Sequence, residues 1–127
     1  MNLLLDTSVV LSIATGSRTL GAKAHAAIGD GRRMVLVSAA SAWEMAIKSA
    51  LGKLDAPGDY LAMLAHYRFV PLDITSEHAL AVSELPHHHR DPFDRMLIAQ
   101  ARTEGLTLVT HDRALVAYDV AMMMASQ

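Results

Sequence analysis

The chain has 127 residues, 52% hydrophobic and 19% charged, with a formal net charge of −2 and no cysteine. This length suits one domain with one core, residues 1–127 as a single unit. The composition offers no bulk attraction to nucleic acid and excludes disulfides, zinc–thiolate sites and thiol nucleophiles. No apolar run reaches the roughly 18–20 residues of a membrane span. Met1–Asp6 has neither a basic n-region nor a small-residue cleavage site, so a cytoplasmic protein without a signal peptide is expected.

The apolar pattern alternates between short strand-like runs and longer helical ones. Asn2–Leu5 is a first strand, stopped by "DTS", which opens a helix to about Ala14. "TGSRT" is a break, and Leu20–Ile28 a second helix closed by "GDG". Met34–Val37 reads as a strand, and Ser38 caps a helix to about Leu51, ended by Gly52. Pro57-Gly58 is a turn, Asp59–His66 a short helix and Phe69–Leu72 a third strand. Ser76–Glu84 is helical and stops at Leu85-Pro86. Pro92–Glu104 is a helix with Gly105 at its end, and Leu106–Thr110 a fourth strand. Asp112 to about Ala117 is a helical turn, and Tyr118–Ala121 is the place for a last short strand. Alternating strands and helices predict an α/β fold with a mostly parallel sheet covered on both faces. In such sheets function gathers beyond the carboxyl ends of the strands.

Four acids fall at that edge. Asp6 directly follows the first strand, and Asp112 follows the fourth by two residues. Glu44 lies two turns into the helix after the second strand, and Asp94 begins the helix that leads to the fourth. Each has a structural explanation. Asp6 and Asp112 are good helix caps, Glu44 stands four residues before Lys48, and Asp91-Pro92 makes Asp91 the N-cap and Asp94 the N3 residue. Converging together they mean something else. Carboxylates about 4 Å apart repel by about 4 kcal/mol at a surface-like dielectric, so such a cluster calls for a cation or shared protons. Hard oxygen ligands without cysteine point to Mg²⁺ or Mn²⁺, and such ions hydrolyse phosphodiesters through activated water.

The stretches "LLLDTS", "SAASAWEMAIKSALGKL" and "LPHHHRDPFDRMLIAQARTEGLTLVTHD" resemble the PIN-domain ribonucleases, nearest to VapC-type toxins of bacterial toxin–antitoxin pairs. The resemblance runs in order along nearly the whole chain. It implies a three-layer α/β/α sandwich. It also implies that Asp6, Glu44, Asp94 and Asp112 are the Mg²⁺-binding and catalytic acids, Asp112 standing at the more variable position in a "T-x-D" setting. Ser8 and Thr110 match small hydroxyl positions beside the site. The implied activity is endonucleolytic cleavage of RNA, the implied partner a VapB-like antitoxin, and the chain is expected to pair with itself. Arg90 and Arg95 are candidates for RNA phosphate contacts, against an ordinary role as solvent-facing charges or internal ion pairs.

Other features have plainer expectations. His87–His89 follow a helix stop and cannot all point one way, so they are expected on an exposed loop. Trp43, among apolar neighbours, is expected in the core. Met122–Met124 suit a loosely packed tail, a dimer contact or an antitoxin contact. A receiver-like phosphoacceptor role is disfavoured, since no lysine occurs after Lys53. The competing function is a non-catalytic interaction module whose acids only cap helices.

Overall fold

The runs LLL, VLVS and TLVT are buried along their whole length, as strands covered on both faces must be. In the computed structural model, which describes residues 1–56 and 58–127, they are β1 (Leu3–Leu5), β2 (Val35–Ser38) and β4 (Thr107–Thr110). With β3 (Val70–Leu72) and β5 (Met122–Met124) they form a five-stranded sheet of order β3-β2-β1-β4-β5. Every pairing is parallel. The helices are α1 (Thr7–Thr15), α2 (Ala22–Gly29), α3 (Ala39–Ala50), α4 (Tyr60–Tyr67), α5 (Ser76–Val82) and α6 (Pro92–Glu104), followed by a 3-10 turn at Arg113–Ala117.

Side chains alternate across each strand, so one strand serves two cores. Leu3 and Leu5 join Val35, Val37, Val109 and Met123 in a cluster with α1, α2 and α4. Leu4 joins Leu36 and Leu108 in a second cluster with Leu97, Ile98 and Ala101 of α6. The result is the expected three-layer α/β/α arrangement. Helix α3 contributes to both clusters, Met45 to the first and Ala40 to the second.

Sheet order sets the site. The chain leaves β1 towards β2 and β3, then returns to place β4 on the other side of β1. Between β1 and β4 successive connections run in opposite directions, and a crevice opens at their carboxyl ends. Register then decides which residues face each other. Leu5 pairs with Val109, and the Asp6 N–H donates to the Val109 carbonyl at 3.0 Å. Asp6 is thereby set beside Thr110.

Helix signals read in the sequence act as expected. Asp6, Ser38, Asp91 and Asp112 each cap the following helix or turn through their side chains, and Asp59, expected inside α4, lies just before it as its cap. Gly105 ends α6 in the left-handed region, at φ 68°. The expected turn at Pro57-Gly58 includes Pro57, which lies outside the described residues.

Two expectations fail here. The last strand is Met122–Met124, not Tyr118–Ala121. Tyr118 instead turns into the second cluster, 4% exposed. The methionines are therefore an edge strand with Met123 in the core rather than a loose tail. Trp43 is 61% exposed, not core. The buried positions of α3 are Ala40, Ser41, Glu44 and Met45, a stripe that passes Trp43 by. Its ring meets Phe93 edge-on, with centroids 5.2 Å apart.

Candidate metal centre

At the β1/β4 crevice lies a cleft of about 330 Å³ lined by Asp6, Thr7, Ser8, Arg18, Glu44, Lys48, Asp91, Asp94, His111 and Asp112. All four acids singled out in the sequence reach it. They come from the end of β1, the middle of α3, the first turn of α6 and the loop after β4.

Asp6 is buried and held on both oxygens. Oδ1 accepts from the Ser8 hydroxyl at 2.6 Å and from the Val9 N–H at 3.1 Å. Oδ2 accepts from the Thr110 hydroxyl, and Thr110 Oγ1 in turn accepts from the Asp112 N–H at 3.0 Å. Thus Thr110 ties the Asp6 carboxylate to the backbone that carries Asp112. Ser8 and Thr110, named from sequence as small hydroxyls near the site, orient Asp6. Capping and site membership do not compete for Asp6, because one carboxylate has lone pairs for both.

Glu44 is carried on the buried stripe of α3, and α3 is bolted to α1 by the Thr7 hydroxyl donating to Ser41 Oγ at 2.9 Å. Glu44 Oε2 accepts from Lys48 Nζ at 2.6 Å, the expected helical pair. That contact holds the Lys48 ammonium above its ordinary pKa. The other oxygen, Oε1, is buried with no hydrogen-bond partner among the described residues. An unpartnered buried carboxylate oxygen is costly and calls for a ligand.

Asp94 is unlike its neighbour Asp91. Asp91 accepts from the N–H groups of Phe93 and Asp94, at 2.8 and 3.2 Å. The Asp94 carboxylate accepts no hydrogen bond among the described residues; His89 Nε2 stands 3.6 Å from its Oδ2. Burial pushes its pKa up to about 7, helped by the charges of Asp91, Asp6 and Glu44 and opposed by His89. Asp112 Oδ1 caps the 3-10 turn through Ala114 N–H at 2.9 Å, and Oδ2 lies 3.2 Å from His89 Nε2.

The family model of the PIN domain matches residues 3–121. The chain belongs to the PIN-domain family. No curated protein matches it by sequence. Solved structures share the PIN fold at low identity. VapBC2 from Rickettsia felis, bound to a DNA fragment from its promoter, aligns with TM-score 0.74 and 14% identity over 98% of each chain. DNA-bound VapBC from Salmonella typhimurium aligns at 0.67 and 18% over 98% of each. FitAcB from Neisseria gonorrhoeae aligns at 0.59 and 21%, over 95% of this chain and 96% of the other.

The cleft of this PIN domain suits a hard divalent cation. Its lining sets five carboxylates against two permanent cations, Arg18 and Lys48. The unpartnered Glu44 Oε1 and the raised pKa of Asp94 mark a site where negative charge is poorly compensated by the residues present. His89, Asp94 and Asp112 offer three ligand atoms within 4.8 Å of one another, a cluster able to hold a divalent metal. No helix among the described residues is long and apolar enough to cross a membrane.

The structure also redistributes roles. His89 is half-buried and touches two site acids, while His87 and His88 are exposed as expected. His111 lines the cleft with its Nε2 3.1 Å from Ser12 Oγ; burial lowers its pKa, with Arg18 adding to the effect and Asp6 opposing it. Arg18, Lys48 and His111 also line the cleft; Lys48 was legible as the helical partner of Glu44, whereas an isolated arginine in a loop gave no signal for Arg18. Arg90 is exposed and absent from the lining. Arg95 is 8% exposed and turned inward. Its guanidinium donates to the carbonyls of Pro86, Val82 and Leu85 and to the Tyr118 hydroxyl, at 2.9 to 3.4 Å. The geometry thus favours the internal role for Arg95, with carbonyls rather than carboxylates as partners.

Proposed function

We propose that this PIN domain, acting as one unit over residues 1–127, is a Mg²⁺-dependent endoribonuclease toxin of the VapC type, held in check by a VapB-like antitoxin. Mn²⁺ is the expected substitute ion. The observation that carries the reading is the buried, unpartnered Glu44 Oε1 in a cleft where Asp6, Asp94 and Asp112 also meet. The competing module reading, in which acids only cap helices, accounts for Asp6, Asp91 and Asp112. It leaves Glu44 Oε1 unpartnered beside the Lys48-paired Oε2, and gives the Asp94 carboxylate no hydrogen bond among the described residues.

Asp6 and Asp94 are assigned as the main metal ligands, with Glu44 and Asp112 binding through water or completing a second position. A bound divalent cation would supply activated water and charge stabilisation for the leaving oxygen. The protein's own share is orientation. Ser8, Val9 N–H and Thr110 fix Asp6 before any ion arrives. Asp94, whose pKa burial raises, would be held ionised by a bound cation. Arg18 and Lys48, at the cleft wall, are placed to meet backbone phosphates of a single RNA strand. These replace Arg95 as the phosphate contacts. The similarity to VapBC and FitAcB structures supports an antitoxin partner, and pairing of the chain with itself is part of the same proposal.

The test is cleavage of a defined RNA by purified protein in Mg²⁺. Asp6→Asn and Asp94→Asn are expected to retain the far-UV circular dichroism spectrum and lose at least about 100-fold in rate, since each removes a metal ligand. Cleavage persisting in both variants, or in excess chelator, overturns the assignment.

A further inference from the structure

Resting on the metal-nuclease reading, we propose that His89 is not a metal ligand but a positioning donor that aims Asp112, and through it the cluster, at the cation. Its proximity to Asp94 and Asp112 admits either role. The other ring nitrogen decides between them.

His89 Nδ1 accepts the Asp91 N–H at 3.1 Å. A backbone amide can only donate, so Nδ1 carries no hydrogen and the neutral ring bears its proton on Nε2. That N–H points at Asp112 Oδ2, 3.2 Å away, and lies 3.6 Å from Asp94 Oδ2. To ligate through Nε2 the ring would have to shift its proton to Nδ1, where it would meet the Asp91 N–H, donor against donor. Histidines that bind metals show the reverse pattern, with the second nitrogen donating to an acceptor.

The ring is also held from below. The His89 N–H donates to the Tyr118 hydroxyl at 3.0 Å, and the same hydroxyl accepts from Arg95 at 3.1 Å. Arg95 gathers three carbonyls from the end of α5 and the following loop. The loop bearing His89 is therefore anchored at the buried side of the site. With His89 in place Asp112 is held as Asp6 is held. One oxygen takes a backbone N–H, from Ala114 or Val9, and the other takes a side-chain donor, His89 or Thr110. Both carboxylates keep their remaining lone pairs for the cleft. The ligand set is then all oxygen, suited to Mg²⁺ and Mn²⁺ rather than to softer ions.

The test titrates Mn²⁺ into wild type, His89→Gln and His89→Ala, following free ion by electron paramagnetic resonance. Circular dichroism checks the fold, and His89→Ser is a second truncation in case the alanine variant does not fold. Glutamine returns an N–H donor near Nε2 without the imidazole. We expect His89→Gln within about threefold of wild type and His89→Ala weaker by about 10-fold or more, the usual scale for losing an outer hydrogen bond to a ligand. Spin-echo modulation of bound Mn²⁺ should show no directly coordinated imidazole nitrogen. Such a nitrogen signal that vanishes in His89→Gln, and so does not come from His111, or a glutamine variant as weak as alanine, overturns the donor role and makes His89 a ligand. Unchanged affinity in the truncations denies it any role. A wild-type protein that binds no Mn²⁺ sinks the nuclease reading, and this one with it.

Discussion

Asp94 carries the clearest consequence at the scale of single residues. Its folded pKa, pushed up to about 7, lies above the ordinary value of 3.8. Between those values the unfolded chain has released a proton that the folded protein still binds. The stability contributed by that proton is complete below the ordinary value and is lost as pH rises through about 7. Without divalent ions the thermal midpoint is therefore expected to fall between pH 4 and 7, and Asp94→Asn to flatten that fall. On the proposed metal reading, saturating Mg²⁺ would hold the carboxylate ionised, and the protein should then gain rather than lose stability as pH climbs to neutrality. Differential scanning fluorimetry across pH, with and without Mg²⁺, measures both; a midpoint independent of pH in the metal-free wild type would count against the raised pKa. The same helix shows why some residues were legible and others not. Glu44 and Trp43 are adjacent in the sequence and share apolar neighbours, yet the acid is buried and the indole exposed. Only the helical stripe distinguishes them, and an apolar neighbourhood counted along the chain does not follow a stripe.

Among the elements, the segment from α5 to α6 is the instructive one. A reading by residue type offered Arg95 either as a phosphate contact or, in its ordinary role, as a solvent-facing charge or internal ion pair. Instead it buries a guanidinium under the histidine loop, where several carbonyls need donors. Arg95→Ala is expected to destabilise the protein by about 3 kcal/mol, since it strands buried acceptors. Tyr118→Phe, which removes one shared hydroxyl, should cost nearer 1 kcal/mol. Urea unfolding monitored by circular dichroism reads both. A role on RNA would give the opposite result, unchanged stability with weakened substrate binding. Strands and helices themselves were readable nearly to the residue, because fully buried strands leave unbroken apolar runs and caps leave serine or aspartate before them. The exception, β5, fails for a physical reason. Tyr118 and Val120 look like strand formers, but the tyrosine ring is drawn to the core and its hydroxyl to Arg95 and His89. Pairing with β4 then selects the methionines, which carry no strong local preference of their own.

Over the whole molecule, the residues after β5 dock on the start of α2. Gly21, at the start of α2, donates its N–H to the Ala125 carbonyl at 2.9 Å, and the Lys23 N–H donates to Gln127 at 2.8 Å. A Cβ on Gly21 would sit 2.1 Å from the Gln127 backbone, so only glycine permits this approach. Gly21→Ala should loosen the last residues and cost about 1–3 kcal/mol, read as a lower thermal midpoint and earlier proteolysis after β5. Wild-type values in both measurements would show that the clasp is dispensable. No local signal marks such a contact, just as none brings Asp6 to Thr110, which lie 104 residues apart. The order of the strands, β4 beside β1, has a consequence for the timing of synthesis. Asp6 is made together with Ser8, the donor to one of its oxygens, whereas Thr110, the donor to the other, is made 104 residues later. Everything between Asp6 and Thr110 can therefore emerge from a ribosome before this carboxylate is held on both oxygens.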